Sequence, residues 1–265
     1  GGNDKTLFSL SLGYLNQNGL MATSAFKRYN LRFTMDTDIN KWLKVGGSLS
    51  LINSRQRLVS DGNGGLNVPR MVSEEVPILP VKYPDGTWAG NNDIAGLEGG
   101  PNPVNIAHNR YTINNTLQSL GNTYLLFHIA KDLDFKTDLG FNLQSQKNNY
   151  FSSQNLAHMS ADQGGVANIR GYLNTYWQSE NYLTWNKTIN QRHRFTALLG
   201  ASWQQYNQET DFVETQNFID DIFQWHTLGS GSVRSSSTSA DYKWAMNSYF
   251  ARATYNLDEK YLFTA

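Results

Sequence analysis

The sequence predicts an all-β fold, an antiparallel transmembrane β-barrel segment, on three observations. The first is the run 134–146, where Phe135, Thr137, Leu139, Phe141 and Leu143 fall on one parity and Asp134, Lys136, Asp138, Gly140, Asn142, Gln144 and Gln146 on the other. That two-residue period marks a strand with one apolar and one wet face, longer than the ~5–6 residues usual in soluble sheets. Its mid-strand charges suit a water-filled or plugged lumen better than a sandwich core. The second is that no apolar run approaches the ~18 residues of a membrane-crossing helix. The mean hydropathy of −0.52 is what alternating strands produce. The third is rhythm: tight turns alternate with long loops, and outer-membrane barrels have short periplasmic turns and long extracellular loops.

Each strand is read from its own alternation. Residues 6–16 oppose Phe8, Leu10, Leu12 and Tyr14 to Ser9, Ser11 and Gly13. Past a short Asn-Gln-Asn-Gly turn, residues 28–38 oppose Tyr29, Leu31, Phe33 and Met35 to Asn30, Arg32, Thr34, Asp36 and Asp38. The tight turn 39–42 leads to Leu43, Val45, Gly47, Leu49 and Leu51, backed by Lys44, Gly46, Ser48 and Ser50. From about 57 to 118 Gly, Pro and Asn dominate, notably in 61–65, 83–88 and 99–103, which predicts a long loop at one barrel mouth. Residues 123–131 form the next strand, and the turn 131–134 enters the run described first.

After a loop over about 149–174 come strands at 175–188 and 193–206. The second is clean, with Phe195, Ala197, Leu199, Ala201 and Trp203 opposed to Arg194, Thr196, Gly200, Ser202 and Gln204; the first is blurred by Tyr176, Trp177, Tyr182 and Trp185 on both parities. A third loop, about 208–241, ends in a Ser/Gly-rich stretch of flexible composition. Residues 242–257 form the next strand, 258–260 a tight turn, and 261–265 the start of another, giving about eight complete strands plus the start of a ninth. With the tight turns 39–42, 131–134, 188–192 and 258–260 in the periplasm, Trp42, Phe135, Trp185 and Tyr261 lie at the level of an aromatic girdle.

The 265 residues carry 22 basic and 22 acidic side chains, so whole-chain charge gives no footprint for nucleic acid or anionic lipid. Without cysteine there is no disulfide framework and no thiolate zinc site. His108, His128, His158, His193 and His226 lack metal-ligand spacing. Glu209, Asp211, Glu214, Asp220 and Asp221 lack the spacing of a calcium loop and read as a solvated segment. The stretch 229–232 is neither a P-loop nor a nucleophile elbow, and no Ser/His/acid set points to an enzyme. No cofactor or metal is expected. Tyr83, Trp88 and Trp225 fall in long loops, where aromatic faces could stack on a sugar ligand; the plainer reading is that they staple their own loops. The opening 1–4 has neither a start methionine nor a secretory leader, and the sequence ends inside a strand pattern, so it reads as part of a longer protein.

Several blocks resemble SusC/RagA-type TonB-dependent outer-membrane transporters: 9–19 (SLSLGYLNQNG), 26–33 (FKRYNLRF), 42–46 (WLKVG), Asn102-Pro103, 180–185 (ENYLTW), 193–200 (HRFTALLG) and 248–256 (SYFARATYN) running into Lys260-Tyr261-Leu262. They occur in the family's order across nearly the whole chain. The resemblance implies a barrel of about 22 strands around an N-terminal plug. Residues 1–265 are then a partial barrel domain, without the plug and the remaining strands. It further implies import of oligosaccharides or peptides across the outer membrane, driven by the TonB–ExbB–ExbD complex beneath a SusD-like surface lipoprotein. The competing reading of the residues is a small standalone outer-membrane barrel with a structural or adhesive role.

Overall fold

The computed structural model describes residues 1–59, 66–90, 93, 102–154, 156 and 164–265. Its strands are β1 (Thr6–Asn18), β2 (Ala25–Asn40), β3 (Leu43–Val59), β4 (Arg110–Ala130), β5 (Leu133–Ser152), β6 (Val166–Ile189), β7 (His193–Phe218), β8 (Gly231–Leu257) and β9 (Tyr261–Thr264). They form one nine-stranded antiparallel sheet in chain order. Two short helices, α1 (Val68–Glu74) and α2 (Pro103–Asn109), lie in the connection between β3 and β4.

The strands are longer at one end than the alternation predicts. The first long loop shrinks to 60–109, the second to 153–165 and the third to 219–230. Thus 208–218 and 231–241, expected as loop, pair with each other in register from Gln208↔Tyr242 to Phe218↔Gly231, with a bulge at Glu214/Thr215. The cause is that period-two hydrophobicity reports a contrast between the two faces, whereas a ladder needs only backbone N–H and C=O. Where both faces are wet the contrast vanishes and the ladder persists. Ser235 Oγ donating to Glu214 Oε1 at 2.8 Å is a cross-strand bond of this polar kind. Residues 61–65 and 99–101 and His158 lie outside the described residues.

The strand register settles the blurred strand. Trp177 shares a row with Phe141 and Trp185 with Ala197, on the apolar face; Tyr176 shares a row with Asn142 and Tyr206, and Tyr182 with Gly200, on the polar face. Aromatic residues line both faces of β6, so hydropathy alone could not assign them.

The buried core sits at the long-loop end. One cluster gathers Val59, Val68, Met71, Ile106, Ala107 and Leu156; another gathers Tyr111, Ile113, Phe151, Ala167 and Phe218 beneath Phe223, Trp225 and Leu228. Nearer the short turns the apolar face is uncovered, with Leu12 74% and Leu199 62% exposed. A soluble domain would bury that face; a bilayer supplies its cover instead.

Asn102 organises the helical connection. Its side-chain oxygen accepts from Val104 N and Asn105 N at 3.0 and 3.1 Å, capping α2, and Pro103 occupies the first turn where no N–H is needed. Its amide donates to Val81 O at 2.9 Å and Ala89 O at 3.1 Å, tying the 81–90 hairpin to the helix.

Candidate functional site: the two faces of the wall

On the apolar face aromatic rings follow the short turns. Trp42 stacks near Phe127 at 6.2 Å, Phe127 near Phe135 at 6.1 Å, Phe195 near Tyr255 at 4.7 Å and Tyr255 near Phe263 at 6.3 Å. Their rows shift along the sheet: Phe127 and Phe135 pair directly, while Leu133, the first residue of β5, meets Trp185, four residues short of the end of β6. The belt therefore tracks the hairpin ends and not a hydrogen-bonded row, as tilted strands in a flat membrane require.

The polar face is a hydrogen-bonded wall. Near the short turns, Tyr124 donates its hydroxyl to Asp36, and Lys136 lies 3.3 Å from Asp138 and over the Tyr124 and Tyr182 rings at 4.7 and 5.6 Å. Gly46 leaves the room the Tyr124 ring occupies. Midway, Gln118 donates to Asn142 at 3.1 Å and Ser48 to Asn122 at 2.6 Å. A group of inward aromatics lies higher: Tyr206 stands 6.1 Å from Trp244, 6.2 Å from Tyr242 and in the same row as Tyr176, which is itself 6.2 Å from Trp244.

Amides frame that group. Tyr176 donates to Gln178 at 2.7 Å and lies 3.2 Å from Gln204 Oε1; Tyr206 donates to Asn174 at 3.2 Å, and Asn174 to Gln144 at 3.3 Å. The amide nitrogens of Gln178 and Gln204 have no hydrogen-bond acceptor among the described residues. Across the inward positions 172–178, 204–210 and 242–246 there is no charged side chain. Such a surface offers aromatic faces and bidentate neutral polar groups together.

The loop aromatics expected as ligand contacts are separated from this wall. Tyr83 opens a hairpin whose turn is closed by Gly86 N donating to Tyr83 O at 2.9 Å, with Gly86 at φ +88°; its hydroxyl donates to Asp93 at 3.0 Å. Burial and that acidic neighbour push the Tyr83 phenol up. Trp88 is half-buried, with Lys82 Nζ 4.1 Å above its ring and His108 5.6 Å away. Trp225 packs edge-on against Tyr111 at 5.7 Å, on the side of the sheet continuous with the apolar face. Of the expected acidic group, Glu209 and Asp211 share one face of β7, Glu214 takes the other, and Asp220 and Asp221 lie in the following turn. Asp220 caps Ile222 N at 2.8 Å.

The sequence reading missed Tyr176, Tyr206, Tyr242 and Trp244 as a group. Their parity, opposite to Trp177 and Trp203, was legible, but two of the four border a segment that reads as loop.

A nine-stranded meander with an apolar outer face, an aromatic belt and a polar inner face defines a wall of a transmembrane β-barrel. No family model matches the chain. It is 30% identical over its full length to TonB-dependent receptor P39 of Formosa agariphila and 27% identical to TonB-dependent receptor P26 of the same organism. It spans about a quarter of the length of these curated relatives, 25% and 26%. Among solved structures, the RagAB peptide transporter superposes with a TM-score of 0.76 at 23% identity, over 98% of this chain and 29% of that one. The ferric-catecholate receptor Fiu of E. coli gives 0.54 at 11% identity, over 96% of this chain and 38% of that one. The resemblance seen in the motifs thus has a counterpart in both comparisons: over its full length the chain is similar in sequence to a stretch of TonB-dependent receptors, and its fold is that of a stretch of the RagAB barrel wall.

Proposed function

We propose that the protein in which this chain forms part of the barrel wall imports oligosaccharides or peptides across the outer membrane by TonB-dependent active transport. In this reading the plug and the remaining strands complete the barrel, the long loops are extracellular, the TonB–ExbB–ExbD complex supplies energy and a SusD-like lipoprotein caps the mouth. The supporting observation is the full-length likeness to TonB-dependent receptors, carried on a wall whose inner face holds the hydrogen-bonded polar side chains. RagAB is a peptide transporter. The inner wall here favours oligosaccharide, because stacked Tyr206 and Trp244 with neutral amides match the apolar ring faces and hydroxyls of sugars, the inward charges Glu180, Arg170 and Glu214 only flanking the group.

Tyr83, Trp88 and Trp225 belong to the proposal as outer contact points, since each keeps part of its ring surface exposed. The test is uptake of a labelled neutral oligosaccharide and of a labelled peptide by cells carrying the full-length protein or its Tyr206→Ala/Trp244→Ala variant. Base-stack-like losses of ~1–3 kcal/mol per aromatic predict at least about tenfold weaker oligosaccharide uptake at equal surface level. Unchanged oligosaccharide uptake, or uptake of the peptide alone, contradicts the oligosaccharide assignment.

A further inference from the structure

Although whole-chain charge is balanced, the cations are not spread evenly over the outer face. Lys27 pairs with Arg55, Arg55 with Asn115, and Asn115 with Lys147, so three exposed cationic positions lie in one row across β2 to β5. All share the parity of Leu49, Leu51, Phe141 and Leu143, which places them on the outer face and not in the lumen.

Their height follows from strand geometry. Arg55 lies twelve residues along β3 from Leu43, and Lys147 twelve along β5 from Phe135, both starting points being in the aromatic belt at the short turns. At ~3.3 Å per residue and a tilt of ~40°, Arg55 and Lys147 each stand about 30 Å above the starting residue of their own strand. The apolar band of such barrels is about 25 Å tall, so the cations emerge just past the hydrocarbon, in the headgroup layer. The ring pair Tyr14–Tyr29, 5.0 Å apart, sits two residues lower along each strand, where the second girdle belongs.

The row opens into a cleft of about 570 Å³ lined by Arg55, Arg57, Asn115, Lys147 and Asn149, with Trp225 at its margin. Arg57 is held 3.5 Å over the Tyr111 ring and donates to His108 O at 3.1 Å, while its Nε has no hydrogen-bond partner among the described residues. Lys27, Arg55 and Lys147 form no ion pair among the described residues. The acids on this face, Glu209 and Asp211 of β7 and Asp241 of β8, lie toward the other end of the sheet; Asp211 joins the cationic row only through Gly171, two strands from Lys147.

We propose that Lys27, Arg55 and Lys147, with Arg57 behind them, bind the phosphorylated headgroup of a lipid in the outer leaflet. The inference rests on the barrel topology proposed above, with this end of the strands outermost. Unpaired cations beside the hydrocarbon edge meet phosphate at a local concentration no free anion matches, and each cation near such a surface favours the anionic lipid about fivefold. The cations bound to lipid are none of the residues proposed to touch substrate, so their substitution tests lipid binding separately from import.

The test is native mass spectrometry of the full-length protein in detergent, titrated with phosphatidic acid, with phosphatidylcholine of the same chains and with inorganic phosphate. Phosphatidic acid should be retained over phosphatidylcholine, and Lys27→Gln/Arg55→Gln/Lys147→Gln should weaken it at least about tenfold, with Lys147→Gln alone giving about fivefold. The charge-retaining Lys27→Arg/Arg55→Lys/Lys147→Arg should bind like the parent. An unchanged heat-dependent gel shift certifies the barrel in every variant. Equal binding of the two lipids, parental binding by the Gln variants, or displacement by inorganic phosphate at equal concentration overturns the proposal while leaving import untouched. Loss of uptake with lipid selectivity retained has the opposite meaning.

Discussion

Gly121 shows how tightly single positions are set on the lipid side of the wall. A Cβ there would lie 2.6 Å from Phe141 Cε1 and 3.2 Å from Ser48 O, so the ring lies where the side chain would be. Gly121→Val should therefore displace Phe141 and cost about 1–3 kcal/mol, read as a lower urea midpoint for folding into liposomes. Asn102 answers to a different readout. Removing its side chain in Asn102→Ala takes away both the α2 cap and the ties to Val81 and Ala89, at about 1–2 kcal/mol. The damage should appear as faster proteolysis between α1 and α2 with barrel assembly intact. In the sequence Asn102-Pro103 stood out only as part of a family pattern. Its reason, a cap that also anchors a hairpin, needed the positions of Val81 and Ala89.

Strands were legible where two solvents meet and illegible where one solvent bathes both faces. Residues 134–146 announced themselves because Phe141 and Asn142 differ; residues 231–241 of β8 did not, because Ser235, Ser236, Ser237 and Ser239 are polar on either side. An epitope inserted beside Gly229, within the 219–230 connection, should be accepted and labelled on whole cells if the long-loop end is outside. The same epitope beside Ser236 should disrupt the β7–β8 ladder, since Ser236 pairs with Glu214. One beside Asn40, next to a tight turn, should stay unlabelled until the outer membrane is opened. The short turns also carry an acid-sensitive tie. Arg192 donates to both oxygens of Asp258 at 2.7 and 2.6 Å, and these hydrogen bonds hold the Asp258 carboxyl below its usual range. A carboxylate lowered in the folded state stabilises above its unfolded value and loses that contribution as acid titrates it through the lowered one. Arg192→Gln should thus be slightly less stable than the parent near pH 7, and the gap should close as the pH falls below the ordinary carboxylate range in parallel unfolding curves.

At the scale of the whole molecule, a chain with no net charge distributes its charges by face and by height. The inner wall joins Asp36, Tyr124, Lys136 and Asp138 low down and neutral amides with aromatics above; the outer face is apolar up to the Tyr14–Tyr29 level and, over β2 to β5, cationic beyond it. Composition averages these layers away, so charge totals predicted no lipid contact while the register places three cations in one row. The strand count, the turn positions and the two-faced wall were readable from residue alternation. The inner aromatic group was not, because it depends on which residues of β6, β7 and β8 share a row.

One face of this sheet meets lipid and the other a lumen, and the adjacent residues Phe141 and Asn142 of β5 separate the two. Phe141 is 43% exposed on the apolar face, near mid-strand; Asn142 is on the polar face, hydrogen-bonded by Gln118, with Asp138 and Asp134 on its side of the strand. The measurement is folding of the full-length protein into liposomes and into non-ionic detergent, comparing Phe141→Arg, Asn142→Arg and the parent. Phe141→Arg should lose about 2–4 kcal/mol in the bilayer, because it places a cation near the midplane, while Asn142→Arg assembles close to parental levels. Normal bilayer assembly by Phe141→Arg together with failure by Asn142→Arg would contradict the assignment of the two faces and the barrel wall built on it.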